Sequence, residues 1–288
     1  MDLQPCQTER FILLSSADRV SAAATGRFVD QVCARFYESF GRAGFDLKPP
    51  PDKLVCVCFN SYDELDAYGR AADGTEASWM DGYYSTRTNR IALVRASAGG
   101  RSQAQRPVVS LAGRAAAVSD PSAGSASSDG LSLKTATHEL AHQLAFNSGL
   151  QKRGVTYPFW LMEGLATNFE ADPSGAYGLG PKSSNYRSRL AAVKARGTLI
   201  PLDRFAGMTV LPAGQKEATL EAYSQAWGLF NFLLTHHRAE LKSYMSQLSD
   251  CGFAPQDEQS LKRRFVSVFG PQEALEKDFR RFIDEATR

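Results

Sequence analysis

The feature that most constrains this chain is a pair of histidines four residues apart, in the segment His138-Glu-Leu-Ala-His142. Residues spaced by four lie one above the other on the same face of an α-helix. The residues around them are mostly apolar, which predicts a buried helix near residues 132–148. Burying two imidazoles without a partner would cost free energy, so we expect both rings to bind a common partner.

The same spacing suits a metal ion. His138 and His142 can bind one zinc ion from a single turn of helix without rearrangement. Glu139 is rotated by about 100° around the helix from His138, so it joins that ligand set poorly but can reach a water molecule beside the ion. Two ligands and one general base form the arrangement of H-E-x-x-H metalloproteases. The sequence therefore predicts His138 and His142 as metal ligands and Glu139 as the base.

A catalytic zinc site needs a third protein ligand and one open position. Ser148 stands where the metzincin pattern requires a histidine, and the reversed H-x-x-E-H order is absent. The stronger candidate is Glu163, in the apolar segment Phe159-Trp-Leu-Met-Glu-Gly-Leu-Ala166 on the next predicted helix. We expect Gly164 to let this helix approach the histidine helix closely. Glu170, seven residues further on, is an alternative ligand.

The first third of the chain predicts a small mixed sheet with helices. Short apolar runs predict strands at residues 10–14 and 54–59, and a hairpin is predicted from Trp79–Tyr84 and Arg90–Arg95. Ser15 and Ser16 are candidate caps of a long helix, and Asn60 or Ser61 can cap a helix at Tyr62–Tyr68. The buried stripe predicted for the long helix comprises Val20, Phe28, Val32, Phe36 and Phe40.

The second half predicts a mostly helical lobe. Residues 96–130 are rich in Ala, Ser, Gly and Arg, which predicts a flexible surface excursion with one short strand at Pro107–Leu111. Helices are predicted near residues 132–148, 158–170, 185–196, 217–237, 239–248, 260–269 and 272–286. The predicted fold class is α+β. Residues 1–150 form a mixed lobe ending in the histidine helix, residues 151–288 form a helical lobe carrying the third ligand, and together they make one catalytic domain.

Composition excludes several classes of partner. Lys and Arg total 33 and Asp and Glu total 31, so we expect no nucleic-acid binding. No apolar stretch is long enough for a membrane span. No signal peptide is visible, which favours the cytoplasm by default, or secretion if a signal has been removed. Cys56 and Cys58 are predicted as small core residues of a strand rather than as metal ligands. The oligomeric state stays open.

Two segments carry a resemblance to a known group of enzymes. Thr137-His-Glu-Leu-Ala-His-Gln143, followed by Trp160-Leu-Met-Glu-Gly-Leu-Ala166, resembles the gluzincin metallopeptidases, and among them the peptidase-MA-like families. The resemblance is firmest over residues 131–234. It implies one zinc ion held by His138, His142 and Glu163, with Glu139 as the base. It also implies an active-site helix under a small mixed sheet, whose edge strand is the hairpin at residues 79–95.

The sequence departs from that group at two points. The Gly-x-Met-Glu-Asn element, which holds the free N-terminus in aminopeptidases of this clan, is absent, which favours an endopeptidase. Thermolysin-like relatives place an aspartate four residues after the third ligand to orient a histidine. This chain has Thr167 four residues after Glu163. Either Glu170 or Asp172 orients the histidine instead, or the surroundings of the metal differ from those of that group.

Gluzincins also supply a Tyr or His that donates to the oxyanion. The resemblance favours Tyr223 for this role, on a helix whose face also carries Trp227, Phe230 and Leu234. The alternatives are Tyr157, Tyr177 and Tyr186. His236 and His237 suit the negative end of that helix, and Asn185 and Arg187 are predicted either to contact substrate or to cap a helix.

The predicted function is a zinc-dependent peptide hydrolase acting on a peptide or protein substrate. Two alternatives stay open: a hydrolase of another amide, and a zinc-binding module without turnover that binds a protein partner.

Overall fold

The computed structural model of the chain describes residues 2–95, 130–180, 184–211, 216–252 and 256–286. These residues form an α+β fold in which five strands lie in the N-terminal part and ten α-helices make up most of the rest. The fold class predicted from the sequence is therefore confirmed. The predicted excursion at residues 96–130 and its strand at Pro107–Leu111 lie outside the described residues, apart from Gly130.

The described residues fall into two compact units. The first contains residues 2–95, 130–149 and 169–179, and the second contains residues 150–168, 180, 184–211, 216–252 and 256–286.

The first unit is built on a five-stranded mixed sheet of order β1-β2-β3-β5-β4. The strands are β1 (Gln4–Gln7), β2 (Phe11–Ser15), β3 (Leu54–Phe59), β4 (Gly82–Ser85) and β5 (Arg90–Val94). The central pairs β2–β3 and β3–β5 are parallel, and the outer pairs β1–β2 and β4–β5 are antiparallel. The predicted hairpin is confirmed, and β4 forms an edge of the sheet.

Helix α1 (Arg19–Arg42) follows β2 and buries the stripe predicted for it, with two corrections. Val32, Phe36 and Phe40 are fully buried as predicted, but Phe28 is only partly buried, and Val20 is 79% exposed because it lies in the first turn of the helix. The helix is capped by Asp18, whose side chain accepts from two backbone N–H groups, and not by Ser15 or Ser16. Asp can accept from N–H groups of the first turn as Ser does, so the cap lies two residues after Ser16 and three after Ser15.

Two further elements complete the helical part of the first unit. Helix α2 (Tyr62–Tyr68) is capped by Ser61 and continues into a single π-helical turn, Gly69–Asp73, which the sequence did not reveal. Helix α3 (Leu133–Asn147) begins at the cap Ser132, and its residues from 135 to 146 are all buried. A helix buried on every face is a core element, and its polar residues therefore need partners.

The second unit is helical. Its helices are α4 (Phe159–Phe169, with Phe169 in the first unit), α5 (Ser184–Arg196), α6 (Leu202–Phe205), α7 (Lys216–His236), α8 (Arg238–Ser249), α9 (Glu258–Phe269) and α10 (Gln272–Ala286). A Cβ on Gly164 would lie 2.6 Å from the Ala226 carbonyl oxygen. Gly164 therefore lets α7 approach α4. The prediction that Gly164 allows close approach to the histidine helix was wrong about which helix is the neighbour. Among the described helices, none combines the length and apolar character needed to cross a bilayer.

Candidate metal centre

Three buried side chains bring possible ligand atoms together. His138, His142 and Glu163 are 3%, 1% and 4% exposed, and one ligand atom from each lies within 4.8 Å of the others. The Nε2 atoms of the two histidines are 3.2 Å apart. Two imidazoles and one carboxylate can hold a metal ion, and within the described residues this is the one His, Cys, Asp and Glu cluster that has this geometry.

Glu170 orients the first histidine. Its Oε2 atom lies 2.8 Å from His138 Nδ1, and both side chains are buried. A carboxylate accepts hydrogen bonds, so Nδ1 is the donor, and in the neutral form of the ring this leaves the Nε2 lone pair for a ligand. Lys134 Nζ lies 3.4 Å from the other oxygen of Glu170 and compensates its buried charge. The residues present thus fit a cation, because two imidazole nitrogens lie 3.2 Å apart and a ligand atom of Glu163 lies within 4.8 Å of them.

The contact between Glu170 and His138 bears on the third candidate ligand, for which the sequence offered Glu163 or Glu170. Glu170 is held on the Nδ1 side of His138 and does not belong to the three-residue group, so it is not the third candidate ligand. Asp172 accepts from Ser174 and from Ala176 N–H in a local turn. Thr167 Oγ1 donates to the Glu163 carbonyl oxygen at 2.6 Å, within its own helix. Of the two carboxylates that the sequence offered to orient a histidine, Glu170 contacts His138, and the hydrogen bonds given above for Asp172 lie within its own turn.

Glu139 is fully buried and is anchored by the sheet. Its Oε2 atom accepts the backbone N–H of Tyr84, on the edge strand β4, at 2.8 Å. A carboxylate on a flexible side chain is thereby held by a rigid backbone group. Glu139 does not belong to the metal-ligand group, which agrees with its rotation away from His138 around the helix.

A second stripe on α3 was missed by sequence reasoning. Gln143 Nε2 donates to the carbonyl oxygens of Val55 and Asn89, at 3.1 and 2.9 Å. Asn147 and Asn89 exchange two hydrogen bonds through their side-chain amides. Residues 139, 143 and 147 are spaced by four, so one face of α3 holds the sheet while the two histidines lie on another. The polar residues at this spacing, in an otherwise apolar helix, were the available signal.

The tyrosine candidates are all engaged in packing. Tyr223 is 3% exposed and its ring meets Phe159 edge to face at 5.2 Å. The Tyr157 hydroxyl accepts from Lys152 N–H, Tyr177 packs on Phe28 and Phe169, and Tyr186 stacks on Trp227. None of these four tyrosines belongs to the group of His138, His142 and Glu163. The role of Tyr223 as hydrogen-bond donor to the oxyanion stays a prediction.

The remaining polar candidates lie elsewhere. His236 and His237 follow one another at the end of α7 and pack against Phe232, with Phe282 beside His236, at a surface cavity of about 310 Å³. Asn185 and Arg187 lie in the first turn of α5. Cys56 and Cys58 are fully buried in β3 as free thiols, and burial raises the pKa of both. These cysteines are core residues, as predicted.

Fold and site together define an α+β protein with a buried His-His-Glu group that can hold a metal ion. Residues 132–252 match the model of a family described as a protein of unknown function, DUF1570. This match covers less than half of the chain, but it includes all three grouped residues, Glu139 and Glu170. No curated protein matches the chain.

Proposed function

We propose that this protein is a zinc-dependent peptide hydrolase. The observation that carries the proposal is the buried group of His138, His142 and Glu163, with Glu139 on the same helix and next to the first histidine. The H-E-x-x-H spacing and the resemblance to gluzincins support peptide hydrolysis over other reactions of the same group.

The ligand set favours zinc. Two imidazole nitrogens and one carboxylate oxygen are the ligands of catalytic zinc sites that keep one position open. When bound, zinc supplies Lewis acidity that activates water at neutral pH and polarises a carbonyl group. His138, His142 and Glu163 would hold the ion, and Glu170 would keep His138 in the tautomer that binds it.

Glu139 is proposed as the general base. Its carboxylate would accept the proton of the attacking water and then pass it to the leaving nitrogen. The Tyr84 N–H holds one of its oxygens, which limits the rotamers open to it. Tyr223 is proposed to donate a hydrogen bond to the oxyanion, on the strength of the resemblance alone.

Metal binding is tested first. Wild-type protein loaded with zinc and dialysed should retain about one zinc ion per chain by elemental analysis. His138→Ala and Glu163→Gln should lose it, while His236→Ala, which alters a histidine outside the group, should retain it. Retention of one zinc ion per chain by both ligand variants would remove these residues from the ligand set.

Hydrolysis is tested with quenched peptide libraries beside a panel of small amides. Glu139→Gln should keep the zinc ion and lose at least about 100-fold in peptide hydrolysis, because a general base contributes that much or more. Unchanged hydrolysis in Glu139→Gln would overturn its role. Turnover confined to small amides, or zinc binding with no turnover, would replace the proposal by one of the two alternatives given by the sequence.

A further inference from the structure

Asp73, at the end of the π-helical turn, is a buried carboxylate that the chemistry proposed above does not use. It is 3% exposed and accepts hydrogen bonds from three hydroxyl groups. Tyr83 Oη lies 2.9 Å from Oδ2, and Ser85 Oγ and Thr88 Oγ1 lie 2.6 and 3.0 Å from Oδ1. A buried charge requires such donors, and all three come from the segment that contains β4.

Two of these donors stand on either side of Tyr84. Side chains two apart in a strand point to the same face, so Tyr83 and Ser85 reach Asp73 together. The residue between them, Tyr84, directs its backbone N–H to Glu139 Oε2 at 2.8 Å. Asp73 thus contacts the side chains of the residues on both sides of Tyr84, whose backbone N–H donates to Glu139.

The π turn that carries Asp73 is closely packed at its first residue. A Cβ on Gly69 would lie 2.8 Å from the Thr75 carbonyl oxygen and 3.4 Å from Tyr83 Oη. The missing side chain leaves room for the Thr75 carbonyl group, and the Tyr83 hydroxyl lies in ordinary contact distance of the turn. π-Helical turns are rare in proteins and frequently occur at functional sites.

We infer that Asp73 is a positioning residue that holds the edge strand β4, and through the Tyr84 N–H sets the orientation of the Glu139 carboxylate. Its significance for catalysis rests on the proposed function, but the positioning itself does not. The turn of the hairpin has a separate attachment to α3 through Asn89, Gln143 and Asn147. Weakening the Asp73 contacts should therefore loosen β4 without detaching the hairpin.

The test compares two Asp→Asn variants of the full chain. Asp73→Asn keeps the shape of the side chain but replaces one acceptor oxygen by a donor. Asp66→Asn is the matched control: Asp66 lies in α2 and accepts from Ala77 N–H and Arg70 Nε, and neither of these bonds involves β4. Tyr83→Phe is a second, milder variant that removes one donor and leaves Ser85 and Thr88 on the carboxylate.

Amide hydrogen exchange gives a readout that requires no turnover. Exchange of the Tyr84 N–H should be at least tenfold faster in Asp73→Asn, faster to a smaller extent in Tyr83→Phe, and unchanged in Asp66→Asn. If Asp73→Asn and Tyr83→Phe both keep wild-type protection at Tyr84, the inference is wrong. If protection is lost equally in Asp66→Asn, the effect is one of general stability and the inference also fails.

Kinetics test the catalytic consequence. In zinc-loaded protein, Asp73→Asn should lower kcat at least tenfold with KM within twofold and zinc content unchanged, since no candidate metal ligand moves. An unchanged kcat would show that orientation of Glu139 by Asp73 has no role in turnover. A wild-type protein without hydrolytic activity would refute the proposed function, while the exchange result would still decide the positioning role.

Discussion

At the scale of the residue, Glu170 shows how a single carboxylate prepares a metal ligand. It accepts from His138 Nδ1 and lies beside Lys134. Neither contact depends on a metal ion, so the histidine is oriented in advance. Such a partner fixes the tautomer and the ring orientation of the histidine and thereby tunes metal affinity.

We predict that Glu170→Ala weakens zinc affinity by about 10–100-fold, because the tautomer and ring orientation of His138 lose their restraint. Glu170→Gln should lose less zinc affinity than Glu170→Ala, since the glutamine amide oxygen can still accept from His138 Nδ1. The measurement is competition with a chromophoric chelator. Asp172→Ala, two residues further along in a local turn, serves as the control and should bind zinc as wild type does. Equal affinities for Glu170→Ala and the control would contradict the prediction.

The residues of the site differ in how far the sequence could reveal them. His138, Glu139 and His142 depend on the helical period alone, which the sequence displays directly. Glu163 needed the further assumption that a second helix returns to the first. Glu170 was a candidate from its spacing of seven after Glu163, but its contact with His138 depends on where the chain lies after α4. Asp73 follows no spacing rule, because it lies at the end of a π turn.

At the scale of the element, the approach of α7 to α4 depends on Gly164. A Cβ there would lie 2.6 Å from the Ala226 carbonyl oxygen and 2.8 Å from Phe230 Cβ. Asn168 Nδ2 strengthens the same contact by donating to the carbonyl oxygens of Gly164 and Trp227, both at 2.8 Å. Backbone atoms cannot rotate aside as a side chain can, so the two helices must separate if a side chain is added.

Gly164→Ala should therefore lower the free energy of unfolding by about 1–3 kcal/mol, the usual cost of overpacking a core. It should also weaken zinc binding, because Glu163 is the adjacent residue. Gly41→Ala is the control: it lies in α1 with nothing within 4 Å of the added Cβ, and alanine there should stabilise by up to about 1 kcal/mol. Urea unfolding checks both. Wild-type stability of Gly164→Ala would show that the helices adjust freely.

The elements that the sequence predicted share strong apolar periodicity, and those it missed do not. Helix α1, the core strands and the helices of eleven or more residues after residue 131 were predicted from their apolar patterns. Strand β1 reads Gln-Pro-Cys-Gln and is largely exposed, so it carries no alternating apolar signal and exists through pairing with β2. Helix α6 has four residues, too few to show a helical period.

At the scale of the whole molecule, buried thiols make the free energy of unfolding depend on pH in the alkaline range. Burial raises the pKa of Cys33 from 9.0 to about 11 and the pKa of Cys58 from 9.0 to about 12. The folded state thus keeps both thiols neutral, while the unfolded chain ionises them near pH 9. The stability associated with these groups is complete below pH 9 and is lost as the pH rises toward 11–12.

We predict that the free energy of unfolding falls between pH 9 and pH 11 by up to about 1.4 kcal/mol per pH unit for each of these thiols. Urea unfolding under reducing conditions at pH 8, 9, 10 and 11 measures the slope. Cys33→Ala should make the slope of the free energy of unfolding against pH less steep, whatever the stability of this variant at pH 8. Cys6→Ala, at a partly exposed thiol, should leave the slope unchanged. A slope identical in all three proteins would show that the buried thiols do not control it.

The attachment of α3 on two faces limits how this segment can diverge. The histidines must keep their phase relative to Glu139, Gln143 and Asn147, which are fastened to the sheet. One residue inserted after His142 would turn everything beyond it by about 100°, carrying Gln143 and Asn147 off the hairpin. Related chains should therefore vary this helix only at its apolar positions and should neither lengthen nor shorten it, and changes in length should accumulate in the loops.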